Sequence, residues 1–495
     1  GHGPVPLLGV DDVAALWTDS AAPDAQVDAL TGAGVEVVTV ERGAGVGVVQ
    51  RDVDRLSHRG PCIQLDDPDD VGVGLEHGGD SLDDQLVIVD HGDPQGATCR
   101  GAHALTIAAV TDCVAELLPY YASVHRGAGY ASRVSTARYE QARDTVGRFV
   151  GAAPDQCVIF TRNTTDSLNL LAGCVPGDTV VLDIEHHANL LAWRGGRRVV
   201  PAAATLDLTI KRLVAELCSR PAALLAVTGA SNVTGELLPL RRLADIAHAC
   251  GARILVDGAQ LVPHRRVDLA ATGIDYLAFS GHKTYAPFGA GVLVGRQDWL
   301  DAAAPYLAGG GAVRSVTATD TEWTTGPQRH EAGSPNVLGA AALAAACEAL
   351  CDLDTEAHEQ ALSEQLRSGL RGIDGVHVLR IWPDTTDPVG IVTFTVDGYH
   401  PGQVAAYLSA EHGIGVRDGR FCAHPLLARL GADSAVRASV GLGTTSEHVE
   451  RLVGAIAALV AAGPRWCYEQ RGGHWDPTPE TRPFTHADRG SAACA

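Results

Sequence analysis

The chain has 495 residues, 46% hydrophobic and 20% charged, enough for two or three domains around a large core. Its formal net charge of −21 argues against a general binder of nucleic acid or anionic membrane, because such surfaces need basic patches to meet phosphates. No apolar run approaches the ~20 residues that span a bilayer, and no basic segment leading into an apolar one reads as a secretion signal. Twelve cysteines are scattered without CxxC pairs, a usage that suggests reduced thiols and a cytoplasmic protein.

In chain order, residues 1–85 read as an extra module. "VDALTGAGVEVVTVERGAG" has a helix–turn–strand rhythm with Gly32 and Gly34 at the turn, and seven aspartates between Asp66 and Asp84 mark a solvated acidic stretch. A short apolar strand at 86–89 opens a new core. From there "CVIF", "DTVVLDI", "AALLAVTGAS", "RILVDGAQ" and "DYLAFSG" are β-rich runs separated by amphipathic stretches such as "LRRLADIAHACGA". That alternation predicts an α/β domain over 86–345, a mostly parallel sheet wrapped by helices. An alanine-rich helix at 336–353 leads into a smaller α+β domain over 346–463, and the polar, Pro- and Gly-rich tail 464–495 reads as extended or disordered.

Only two of the 38 basic residues are lysines, Lys211 and Lys283. Lys283 lies in "FSGHK", just past a β-rich run, and Asp257 and Gln260 of "VDGAQ" follow the run before it. Loops at the carboxyl ends of strands build the ligand crevice of an open α/β sheet, so these residues converge on one edge. Pyridoxal phosphate (PLP) needs such a set. A lysine amine condenses with its aldehyde, which arginine cannot do, and a carboxylate pairs with its pyridinium nitrogen. Its phosphate needs hydroxyls and amides at a helix start, which Thr164 and Thr165 of "TRNTTDSLNLLAG" offer. His186 and His187 of "EHHANLLAW" stand at another strand end, available to stack on a ring. Taken singly, Asp257 reads as a helix cap, the threonines as N-caps and the histidine pair as metal ligands. No third ligand at helical spacing supports a metal site.

The ordered set "SVHRG", "TRNTTDSLNL", "EHHANLLAW", "SNVTGE", "VDGAQ", "FSGHK", "EAGSPN", "RDGRFCAHPL" and "RASVGLGTTSEHV" resembles the class V, fold-type I PLP-dependent enzymes. It is most similar to the group II cysteine desulfurases and selenocysteine lyases, over about residues 86–460. The resemblance implies a seven-stranded, mostly parallel sheet and a homodimer. It implies that Lys283 holds PLP and shuttles protons, Asp257 pairs with the pyridinium, Gln260 meets the phenolic oxygen and His186 stacks on the ring. Thr164, Thr165, Ser280 and His282 would hold the phosphate, joined by Ser334 from the partner subunit. Asn232 and Arg437 would bind the substrate carboxylate, with His125 on the substrate side.

Cys422 of "GRFCAHPLL" matches the family's sulfur acceptor, so the implied reaction takes sulfur from L-cysteine, or selenium from L-selenocysteine, to give alanine and a persulfide on Cys422. That step calls for a thiolate on a mobile, partly exposed loop, with Arg417, Arg420 and His424 nearby to favour it. A sulfur-acceptor protein would then be the partner. The same class also contains C–S lyases, aminotransferases and epimerases, which would not need Cys422. The chain departs from the family where Arg420 and Phe421 replace two histidines, where Ser334 replaces threonine, and where Asp90, His91 and Asp93 alter the early strand's turn.

Overall fold

The computed structural model describes residues 107–351, 353–480 and 482, with the backbone of three short strands, Ala15–Asp19, Glu36–Val40 and Val87–Ile88. The chain divides into two compact units, Gly1–His77 and Gly78–Ala495. In the first, Ala15–Asp19 and Glu36–Val40 pair in parallel, the latter being the expected strand of "VEVVTV". The helical half of that motif, the acidic stretch and the Asp90–Asp93 turn lie outside the described residues.

The second unit is built around seven strands: β1 (Gln156–Thr161), β2 (Thr179–Leu182), β3 (Arg197–Val200), β4 (Leu224–Thr228), β5 (Arg253–Asp257), β6 (Tyr276–Ser280) and β7 (Gly291–Arg296). They lie in the order β1-β7-β6-β5-β4-β2-β3, and only β7 runs antiparallel to its neighbours. The central strands are buried on both faces. Ile254 and Val256 of β5 enter one apolar cluster and Leu255 the other, which is why these strands read as continuous apolar runs. Edge strand β3 alternates exposed and buried residues instead.

Helices α1 (Ala108–Leu117), α2 (Tyr130–Phe149), α3 (Thr164–Ala172), α4 (His187–Leu191), α5 (Leu206–Ser219), α6 (Leu240–Ala249) and α7 (Val337–Cys351) wrap this sheet. The expected alanine-rich helix is α7, and its small residues let it pack closely on α1 and α2. The smaller lobe joins α8 (Thr355–Arg371), α9 (Pro401–His412), α10 (His424–Arg429) and α11 (Ser446–Ala462) to a four-stranded sheet. Its strands are β8 (Val376–Val378), β9 (Ile391–Val396), β10 (Arg417–Gly419) and β11 (Ala435–Ser439), in the order β8-β9-β11-β10. Leu366, Phe394, Val436, Leu452 and Ile456 form a core cluster of its own.

Polar pins tie the lobes together. Glu236, 2% exposed, accepts the amides of Ile381 (2.7 Å) and Trp382 (3.0 Å), and the Leu442 amide donates to the Tyr285 hydroxyl (3.1 Å). The polar tail differs from its reading as extended or disordered chain. Cys467–Arg471 and His474–Thr478 form an antiparallel hairpin, anchored by Trp475 stacked on His400 at 5.7 Å and by Glu411 accepting from Arg465 and the Tyr468 hydroxyl. Composition could not show this, because the anchors are single aromatic and acidic contacts made at long range. No helix among the described residues is long and apolar enough to cross a membrane.

Candidate active site

The predicted residues gather where the strands end. Asp257 is the last residue of β5 and Ser280 the last of β6, and a 3-10 turn, Gly281–Lys283, carries His282 and Lys283 half-buried beyond it. Asp257 is 4% exposed. Burial pushes its carboxyl up, while the Ala259 amide (3.0 Å) and the charge of Lys283 pull it back down. An acid in that setting calls for a cationic partner.

The start of α3 brings two threonines to the end of β6. Asn163, not Thr164 or Thr165, is its N-cap, accepting the Asp166 amide at 3.0 Å. The two threonines therefore occupy the first helical positions with their hydroxyls released from capping. Thr164 is buried against Ser280, its amide donating to Ser280 Oγ (2.7 Å) and its hydroxyl 2.6 Å from the same oxygen; Thr165 is exposed. Gly291 of β7 makes this approach possible, since a Cβ there would lie 2.4 Å from the backbone of Asn163. The turn after Lys283 is held by Asn336 of "EAGSPN", which donates to the carbonyls of Phe288 (2.7 Å) and Gly289 (3.1 Å).

His186 caps α4, its Nδ1 accepting the Ala188 amide at 3.1 Å. Beside it Glu185 is fully buried. Its Oε2 accepts from Asn189 Nδ2 (2.8 Å), and burial pushes its carboxyl up to about 8, a shift reinforced by the charges of Asp257 and Asp183. The fold thus favours the protonated form of Glu185. Nothing in "EHHANLLAW" marks Glu185, because sequence does not distinguish a buried glutamate from a solvated one.

Cys422 comes from the smaller lobe and is pinned to these strand ends. Its carbonyl accepts the His187 amide (2.8 Å), and the preceding carbonyl, of Phe421, accepts from Asn232 Nδ2 (2.8 Å). Phe421 is buried beneath the Arg437 guanidinium, 5.7 Å from its ring, and Arg437 in turn donates to the Asn232 carbonyl (2.8 Å). Phe421 and Cys422 both adopt left-handed backbone, φ 53° and 49°, a conformation costly for non-glycine residues and kept only where contacts impose it. The free thiol, partly exposed as expected, sits on a tight turn held by these contacts. His424 lies edge-on to His187 at 4.5 Å between ring centroids, and burial with the His424 charge holds His187 below the ordinary imidazole range.

Two predicted residues stand apart from this cluster. His125 bonds Thr136 through its amide and Glu140 through Nε2 (3.0 Å), contacts that bind it to α2. Ser334 is exposed, while its neighbour Glu331 is a buried hub accepting from Arg143 (2.8 Å), the Tyr139 hydroxyl (3.0 Å) and the Phe160 amide (2.7 Å).

The cofactor's demands can be checked against these groups. Gln260 is 4% exposed, and its Nε2 finds no protein acceptor among the described residues, an orphaned donor at the edge where a ring oxygen is required. A buried acid, a lysine beyond the neighbouring strand end and a hydroxyl-lined helix start complete the fit. Fold and site together define a PLP-dependent enzyme of fold type I. Residues 100–452 match the family described as aminotransferase class-V. The chain is 35% identical to a cysteine desulfurase of Haloferax volcanii over 428 residues, covering 82% of this chain and 96% of that one. Against a cysteine desulfurase of Dickeya dadantii the identity is 38% over 351 residues, 67% and 84% of the two chains. Among solved structures, a Thermococcus onnurineus cysteine desulfurase superposes with a TM-score of 0.67 at 34% identity, covering 72% of this chain and 92% of that one. An Escherichia coli cysteine desulfurase gives 0.64 at 35%, over 71% and 91%. The chain belongs to the class V aminotransferase family and, within it, to the cysteine desulfurases.

Proposed function

We propose that the protein is a PLP-dependent cysteine desulfurase that takes sulfur from L-cysteine, leaving alanine and a persulfide on Cys422. The observation carrying this reading is the clamped Cys422 turn. Its backbone is pinned on both sides, the Cys422 carbonyl by the His187 amide and the Phe421 carbonyl by Asn232 Nδ2, so the half-exposed thiol is held at the ends of β2 and β4. A structural cysteine would need no such strained, half-exposed placement.

PLP supplies an electron sink that weakens bonds to the substrate's α- and β-carbons. Lys283 anchors it and moves the α-proton. Asp257 offers the buried negative charge that keeps its ring nitrogen protonated, and Gln260 donates to its phenolic oxygen. His186 covers the ring face. Thr164, Thr165, Ser280 and His282 hold the phosphate, with Ser334 of the partner subunit in a homodimer. Arg437 and Asn232 orient the substrate carboxylate. Cys422 Sγ then attacks the substrate sulfur: a new S–S bond forms as the substrate's Cβ–S bond breaks, and the carbon skeleton gains a proton to become alanine. A sulfur-acceptor protein takes the sulfane sulfur onward.

The test incubates the purified holoenzyme with L-cysteine and with L-selenocysteine and measures alanine and persulfide. Wild type should form both products from cysteine, and Cys422→Ala should lose at least ~100-fold of its cysteine turnover while retaining the cofactor's absorbance. A variant that keeps making alanine or pyruvate at the wild-type rate would point instead to a plain C–S lyase of the same class.

A further inference from the structure

Outside the site, one pair of thiols is placed for chemistry of its own. Cys218 lies in the last turn of α5 and Cys250 caps the C-terminal end of α6, so the two sulfurs meet where neighbouring helices end on the outer layer of the large lobe. Their Sγ atoms are 3.2 Å apart, closer than two non-bonded sulfurs rest at van der Waals contact. Cys218 is exposed and Cys250 half-buried, both free. By contrast Cys157, Cys174 and Cys347 are buried beyond the reach of a solute.

We propose that Cys218 and Cys250 form a redox-active dithiol, a modification site that exchanges with low-molecular-weight disulfides of the glutathione class. Cys218 Sγ attacks one sulfur of the small disulfide, forming a mixed disulfide and expelling one small thiol, which carries away the Cys218 proton. Cys250 Sγ then attacks Cys218 Sγ, forming the intramolecular bond and expelling the second small thiol with the second proton. Two protein thiols are oxidised and one small disulfide is reduced to two thiols. The order follows from access, since Cys218 is the sulfur that solvent meets. It follows also from charge, since the hydrogen bond and proximity of Cys218 push the Cys250 thiol up and leave it to act second. Closing the bond to about 2.05 Å requires the sulfurs to approach by roughly 1 Å, within the range of side-chain rotation. The product links two cysteines 32 residues apart in sequence, at the ends of neighbouring helices, and leaves the strand-end residues untouched.

The holoenzyme is exposed to graded oxidised glutathione, its remaining thiols are alkylated, and the peptides are mapped by mass spectrometry. A Cys218–Cys250 cross-link should appear in wild type at lower oxidant than any glutathione adduct on the exposed controls Cys351 and Cys467. Cys250→Ser should trap glutathione on Cys218, and the oxidised wild type should melt higher, returning on reduction with dithiothreitol. The proposal is overturned if both thiols stay alkylatable while Cys351 or Cys467 is modified, or if Cys218 and Cys250 each carry a separate glutathione in wild type.

Discussion

The two lysines show how differently one residue type can be used. Lys211 lies exposed on α5 in an ion pair with Asp207 at 2.9 Å, a surface contact worth little that arginine could replace. Lys283 stands beyond β6, where its charge reaches buried Asp257. Glu185 adds a dependence on pH. Its carboxyl is ordinary in the unfolded chain and raised to about 8 in the fold, so the folded state holds its proton over a range where the unfolded state has released it. Stability should therefore fall as pH rises from about 4.5 to about 8, by on the order of 4 kcal/mol from this group. Glu185→Gln keeps the shape and removes the titration. Its denaturation midpoint should match wild type near pH 5 and exceed it at pH 8.5; equal midpoints at both would refute a neutral Glu185.

Secondary structure was readable wherever periodicity and punctuation agreed. The β-rich runs became β1, β2, β4, β5 and β6, since a strand buried on both faces must be apolar throughout. The cap of α3 is Asn163, directly before the threonines, and neighbouring cap formers cannot be ranked without the backbone. Gly291 had no distinguishing signal in its glycine-rich turn, yet it decides how closely β7 approaches the start of α3. Gly291→Ala would put a Cβ 2.4 Å from Asn163 Cα and N, backbone atoms with no room to yield. The expected result is a loss of about 1–3 kcal/mol in urea unfolding together with faster loss of PLP absorbance on dialysis. A variant with wild-type midpoint and cofactor retention would show that the helix start tolerates displacement.

The smaller lobe has a cluster of its own but also shares the large lobe's core through Trp382, Phe421 and Leu426, and polar contacts cross between the lobes as well. Arg437 of β11 reaches Asn232 after β4, and Cys422 before α10 meets His187 at α4. The proposed role of Ser334 in a neighbour's phosphate site requires a second chain, and its exposure is compatible with that role. Analytical ultracentrifugation should give twice the mass of one chain. Ser334→Ala should weaken PLP retention several-fold without changing that mass, and a monomer that keeps its cofactor would remove Ser334 from the site.

Residue chemistry alone was enough to name the cofactor. A rare lysine, an aspartate and a glutamine beyond consecutive apolar runs can converge only if those runs are adjacent parallel strands, and the order of motifs carried the family. The persistence of Cys422 in its motif likewise pointed to sulfur. What folding alone decided is where unlike charges and orphaned donors end up. Burial pushed the Glu185 carboxyl up, left Gln260 Nε2 without a protein acceptor among the described residues, turned the Cys422 segment into a clamped left-handed turn, and set Cys218 against Cys250. Those properties depend on distances between residues far apart in the chain and on the solvent each loses, and neither quantity is written in local sequence.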